Sequence, residues 1–135
     1  MAKQIFVNLP VKDLKRSVTF FTALGYTFNP QFTDENATCM IVDDNIFVML
    51  LVEPFFKTFT RKTIADATKS TEVLVCLSCD SRAEVDDLVR KARAAGGTTP
   101  SEPQDHGFMY QHGYQDPDGH LWELVYMEPP AESRA

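Results

Sequence analysis

Glu123, His112 and Tyr110 are the residues whose types and spacing could do chemistry. Glu123 sits in Leu121-Trp122-Glu123-Leu124-Val125-Tyr126, a run that is apolar on both faces apart from this carboxylate. Such a strand is covered on one side and lines something on the other. Immediately before it, Asp116-Pro117-Asp118-Gly119 carries the residues of a tight turn. Pro117 presets φ, Asp116 accepts hydrogen bonds from the turn backbone, and Gly119 tolerates a positive φ. The stretch is a hairpin tip, and its register decides which residue faces Glu123. If Gln115 pairs with His120, His112 lies opposite Glu123; a three-residue bulged turn puts Gly113 there instead. A Glu123 and His112 pair, with Tyr110 two residues from His112 on the same face, could do general acid/base work on a small carbonyl compound, because burial moves such groups toward neutral pKa values. The same residues could form a hydrogen-bonded polar patch, and a strand carboxylate is generally satisfied by a neighbouring cation or N–H.

The rest of the chain must position these groups. Ile5, Val7, Leu9 and Val11 alternate with Phe6, Asn8 and Pro10, the pattern of a half-buried strand. Asp13 is placed to cap a helix whose Leu14, Val18, Phe21 and Leu24 recur at helical spacing, with Gly25 at its end. Tyr26 to Phe28, Ala37 to Val42 and Ile46 to Val52 read as strands, the last two flanking the turn Asp43-Asp44-Asn45. Residues 53–70 then break the pattern with Pro54, Phe55, Phe56 and Phe59, as a linker or a lid. The phenylalanines either pack down a long connection or cover a ligand cavity. The strand pattern resumes at Thr71 to Cys79, and Ser81-Arg82-Ala83-Glu84 is a capping box. The helix it opens buries Val85, Leu88, Val89, Ala92 and Ala95 and ends at Gly96-Gly97. A short Thr98-Thr99 segment, a loop from Pro100 to Gly107 and a strand from Phe108 to Gln115 lead into the hairpin. The fold class is therefore α+β, a single domain of two β-α-β-β-β modules at about 3–52 and 71–128.

A chain of 135 residues, 44% hydrophobic, suits one domain with an ordinary core that needs neither disulfide nor structural metal. The net charge of −6 argues against nucleic acid and anionic membrane as partners, since both demand a basic surface. No apolar run approaches a membrane span, and the N-terminus enters a strand without a signal-peptide layout, which predicts a cytoplasmic protein. Cys76 and Cys79 mimic a redox or zinc pair, but residues three apart on a strand point to opposite faces. With Cys39 they are expected to be small buried residues in a reducing compartment.

Asp116-Pro117-Asp118-Gly119 followed by a strand with Glu123 resembles the C-terminal hairpin of the vicinal oxygen chelate superfamily, the glyoxalase I, bleomycin-resistance and extradiol-dioxygenase group. Leu9-Pro10-Val11-Lys12-Asp13-Leu14-Lys15-Arg16-Ser17, with Phe20-Phe21 and Leu24-Gly25-Tyr26, is similar to that superfamily's first strand and helix. The resemblance covers nearly everything from Lys3 to Met127. It implies two curved modules around an open cup with the helices outside, a homodimer, and Glu123 as a ligand to a divalent metal. The other three ligand positions it implies fall on Phe6, Val73, and Val48 or Met49, none of which suits an ion. A register error of one residue would bring in Glu72, and Asn8 shares a face with Phe6. The metal ligand set is thus incomplete, with Glu123 alone matched.

Three classes of function follow. A lyase or isomerase resembling lactoylglutathione lyase would act on a small α-oxo compound, with Glu123 as base. A metal-free, drug-sequestering protein of the bleomycin-resistance type would use an aromatic cup, for which Phe6, Asn8, Phe55, Phe56 and Phe59 are the candidate ligand-binding residues. A partner-binding domain would fill the cup with its own side chains.

Overall fold

The computed structural model describes residues 3–129. The chain divides into two compact units, one ending at Asp66 and the other beginning at Ala67. Unit 1 contains β1 (Ile5–Val11), α1 (Leu14–Ala23), β2 (Thr27–Asn29), β3 (Ala37–Asp43), β4 (Ile46–Val52) and a single turn of helix, α2 (Glu53–Phe56). Unit 2 contains β5 (Leu74–Ser78), α3 (Arg82–Ala94), β6 (Gln104–Asp105), β7 (Met109–Gln115) and β8 (Leu121–Met127). Each unit holds one four-stranded mixed sheet, in the orders β1-β4-β3-β2 and β5-β8-β7-β6, and neither closes into a barrel. The first strand of each unit runs parallel to the last, and the other pairings are antiparallel. This is the α+β fold of two β-α-β-β-β modules that the sequence predicts.

Local chemistry explains the helices. The Asp13 carboxylate accepts from Arg16 N at 3.2 Å and starts α1. Ser81 Oγ accepts from Glu84 N at 3.0 Å, while Glu84 Oε1 reaches back to Asp80 N at 2.6 Å, so the capping box closes one residue further out than its usual form. In unit 1 the core joins Phe20, Phe21 and Leu24 of the α1 segment to Leu9, Val11, Met40, Val48 and Leu50 of the sheet, all at most 3% exposed. In unit 2, Val85, Val89 and Ala92 of α3 are buried, as are Tyr114, Trp122 and Leu124 of β7 and β8, the strands α3 packs on. Tyr114 and Trp122 stack at 6.3 Å. Burial of side chains of this size stabilises each unit by about 2 kcal/mol per residue.

Three details depart from the sequence reading. Residues 53–59 are helical, with α2 continuing into a 3-10 turn at Lys57–Phe59. Thr98 makes one isolated bridge to Gln115, and the second strand of unit 2 is instead the two-residue β6, inside the stretch read as loop. Cys39 is buried, but Cys76 is exposed and Cys79 half-buried, because β5 is an edge strand whose Leu74, Cys76 and Ser78 face is uncovered. Among the described residues no helix is long and apolar enough to cross a membrane.

Candidate functional site

The hairpin register separates the residues that could do chemistry. Gln115 pairs with Leu121, Gly113 with Glu123, and His112 with Leu124. Asp116 N donates to His120 O at 3.0 Å and carries the same register to the end, leaving the three-residue loop Pro117-Asp118-Gly119. Of the two arrangements open to the sequence, the bulged turn is the one formed. Side chains alternate along a strand. His112 and Tyr114 therefore share the α3 side of the sheet with Trp122 and Leu124, and Glu123 points to the other side. Tyr110 joins the α3 side too, donating its hydroxyl to Asp86 of that helix at 2.6 Å. The structure does not bring Glu123 together with His112 and Tyr110.

Gly113 is the neighbour Glu123 has instead. A Cβ at position 113 would meet Trp122 O at 2.5 Å, so the close approach of β7 and β8 beside Glu123 excludes any side chain there. On its other flank Glu123 pairs with Cys76 of β5. Glu123 is half-buried and makes no hydrogen bond or ion pair among the described residues, which leaves its carboxylate available to a ligand. Although the residue is exposed, its strand neighbours partly desolvate the sulfur, and this first, then the Glu123 charge, push the Cys76 thiol up, so this cysteine is no thiolate nucleophile. Burial chiefly, helped by Glu84, pushes Cys79 to about 11.

The remaining polar groups have structural engagements. The hydrogen bond to Asp86 is the main cause that raises the Tyr110 phenol, and Arg82 stands 5.3 Å over its ring, so Tyr110 is not poised as a base. His112 Nε2 donates to Ser101 O at 3.0 Å. His120 is 3% exposed, and its Nδ1 donates to Glu72 Oε1 at 3.0 Å, which commits the carboxylate that a one-residue register slip would make a ligand. His106 lies in an exposed loop against Gln104 at 3.4 Å.

Unit 1 has its own open face. Leu9 and Val11 are buried on one parity of β1, whereas Phe6 is 48% exposed on the other and Asn8 is exposed beside it. Phe6 stacks on Phe47 of β4 with ring centroids 4.9 Å apart. Asn8 pairs with Met49, so Met49 rather than the buried Val48 faces this side. Phe47 escaped the sequence reading because its partner is fixed by a parallel pairing across 41 positions, which alternation along a single strand does not encode. Phe55 and Phe56 are half-buried, Phe59 is 65% exposed, and Phe55 meets Phe59 edge-on at 5.2 Å.

The implied metal positions hold Phe6, Val73, Met49 and Glu123, one oxygen donor among three side chains that bind no hard or borderline divalent ion well. No three or more His, Cys, Asp or Glu side chains converge among the described residues. The residues do not fit the metal centre.

Comparison with known proteins gives one family-model match and several similar solved structures. Residues 3–43 match the family model described as bleomycin resistance protein-like N-terminal. A hypothetical protein from S. aureus is 30% identical, with 93% of this chain and 95% of that one covered at a TM-score of 0.78. A glyoxalase/bleomycin resistance protein/dioxygenase family enzyme from Burkholderia phytofirmans is 17% identical, covering 93% and 99% at a TM-score of 0.76. The bleomycin resistance determinant encoded on the transposon Tn5 is 21% identical, covering 95% and 100% at 0.67. The last two likenesses are of fold. A search of curated protein sequences finds no match.

Proposed function

We propose that this chain, whose residues 3–43 match the bleomycin resistance protein-like N-terminal model and whose fold is that of glyoxalase, bleomycin-resistance and dioxygenase proteins, binds a flat small molecule without a metal. The observation that carries this reading is Phe6, exposed and stacked on Phe47, at a position the resemblance gives to a metal ligand. An aromatic face takes a planar ligand by stacking or a cation through its π system, at about 1 kcal/mol beyond the area buried. Asn8 beside it offers an amide donor and acceptor. Phe55, Phe56 and Phe59 add aromatic surface in the same unit and serve as a lid. In its own unit, the unpaired Glu123 supplies a carboxylate to a cationic group. The net charge of −6 raises the local concentration of cationic compounds.

Calorimetric titration with bleomycin and with a simple aromatic cation, in chelator, tests this. Binding is expected without added metal and is expected to weaken about tenfold in Phe6→Ala, the equivalent of about 1.4 kcal/mol. Unchanged affinity in that variant would sink the proposal. The half-buried, unpaired Glu123 favours one competing reading, a lyase or isomerase acting on a small α-oxo compound with Glu123 as base. In that reading His112 and Tyr110 stand behind the sheet and take no part. Turnover of methylglyoxal with a thiol, abolished by Glu123→Gln, would replace sequestration with this reaction.

We place the protein in the cytoplasm as a homodimer. Three unpaired cysteines support the first. Ile5 and Phe6 on the edge strand β1, and Val73 and Leu74 at the edge strand β5, leave apolar side chains 37% or more exposed and support the second. Sedimentation equilibrium is expected to give twice the chain mass, and a single-chain mass at micromolar concentration would remove the dimer.

A further inference from the structure

We propose that a cleft on the α3 side of unit 2 is a separate binding site for a small organic anion, a carboxylate carried on a flat apolar body. The cleft lies along α3 and has a volume of about 320 Å³, lined by Asp86, Val89, Arg90, Arg93, Pro103 and His112. Positions 86, 89, 90 and 93 recur at helical spacing, so a single stripe of α3 forms one wall. It stands on the opposite side of the sheet from Glu123 and in a different unit from Phe6, and it is independent of the ligand face proposed above.

The charges lining the cleft are unequally engaged. Asp86 accepts the Tyr110 hydroxyl at 2.6 Å. Arg90 is paired with Asp87, which also takes Lys91 at 3.0 Å. Arg93 makes no hydrogen bond or ion pair among the described residues. The His112 ring is fixed by its Nε2–H donating to Ser101 O at 3.0 Å and is a wall of the cleft, not a donor to the anion. The helix dipole alone favours a cation in the last turn of α3, so the residue type at 93 says little by itself. The ligand is indicated by the combination: an uncommitted guanidinium on the wall of a cleft that also holds two apolar side chains and an imidazole fixed in place by Ser101. A carboxylate meets the guanidinium fork with paired N–H donors. Val89 and Pro103 provide apolar contact for its body. The Asp86 carboxylate on the same wall disfavours a second negative charge, so the ligand is a monoanion and not a phosphate dianion.

Benzoate titrated into the full chain, followed by nitrogen-resolved NMR, tests the assignment. Saturable shifts are expected at Val89, Arg93 and His112, with a dissociation constant on the order of millimolar. Arg93 is exposed, so Arg93→Ala is expected to fold normally and bind benzoate roughly tenfold more weakly or worse. In Phe6→Ala the benzoate shifts at Val89, Arg93 and His112 are expected to saturate as in the wild type, which separates this site from the ligand face of unit 1. No saturable shift at Val89, Arg93 and His112, an unchanged affinity there in Arg93→Ala, or inorganic phosphate shifting the same residues as tightly as benzoate would each overturn the proposal.

Discussion

Gly119→Val is expected to lower stability by about 4 kcal/mol and the melting temperature by roughly 14 °C, the sum of two separate costs. Gly119 has φ of +91°, where a β-branched residue is strained by about 1–2 kcal/mol. A Cβ there would also lie 2.7 Å from Ala67 C and Thr68 N and 2.8 Å from Ala67 O. These are backbone atoms, which cannot swing aside as a flexible side chain does, so the segment at 67–68 must lift from the hairpin tip. Gly107→Val separates the two costs. Gly107 has φ of +83°, but a Cβ there meets nothing within 4 Å, so this variant is expected to lose about 1–2 kcal/mol from strain alone. Thermal melts of the two variants side by side decide the matter. Equal losses would mean that the contact at Ala67 and Thr68 contributes nothing.

The same hairpin shows what a sequence can and cannot say. Its existence was legible because the signals are local: Pro117 and Gly119 each satisfy a dihedral requirement of the turn itself. The helix starts were legible for the same reason, since Asp13 and Ser81 act within one turn of backbone. The register was not, because it depends on whether the loop holds two or three residues. The Asp116 carboxylate, which takes the N–H groups of Asp118 and His120 at 3.0 Å each, braces the three-residue loop. One position of register moved His112 and Tyr110 to the far side of the sheet from Glu123. Sheet neighbours were equally beyond reach of a linear reading. Phe47 stands beside Phe6, and Cys76 beside Glu123, through parallel pairings between distant strands. What survives of the candidate site is therefore the part fixed by residue type at one position: Phe6 and Asn8 on the open side of β1, and Glu123 on the open side of β8.

Asp116→Ala is expected to cost about 4 kcal/mol, because this side chain ties the turn to the core. Asp116 is 4% exposed, and besides the two backbone donors its Oδ2 accepts from Trp122 Nε1 at 3.0 Å. Truncation strands three N–H groups at a buried site, at about 1–3 kcal/mol for each that water does not reach. Asp116→Asn keeps an oxygen for the backbone donors but turns an NH2 toward the indole N–H, and about 2 kcal/mol is the expected loss. The two variants also read the ionisation of the site. Burial holds the Asp116 carboxyl above its ordinary value, against the His120 charge and the Trp122 N–H that lower it. The native state therefore binds a proton more tightly than the unfolded chain does. That linkage contributes stability in full below the ordinary carboxylate value and loses it as pH rises through the raised one. Both variants lack it, while the lowered carboxyls of Asp87 and Asp105, which act in the opposite sense, are common to all three proteins. The wild type's margin over Asp116→Asn is expected to widen from about pH 7 to about pH 4 in urea melts. A margin that narrows on acidification would show that the three hydrogen bonds to the ionised carboxylate outweigh its desolvation.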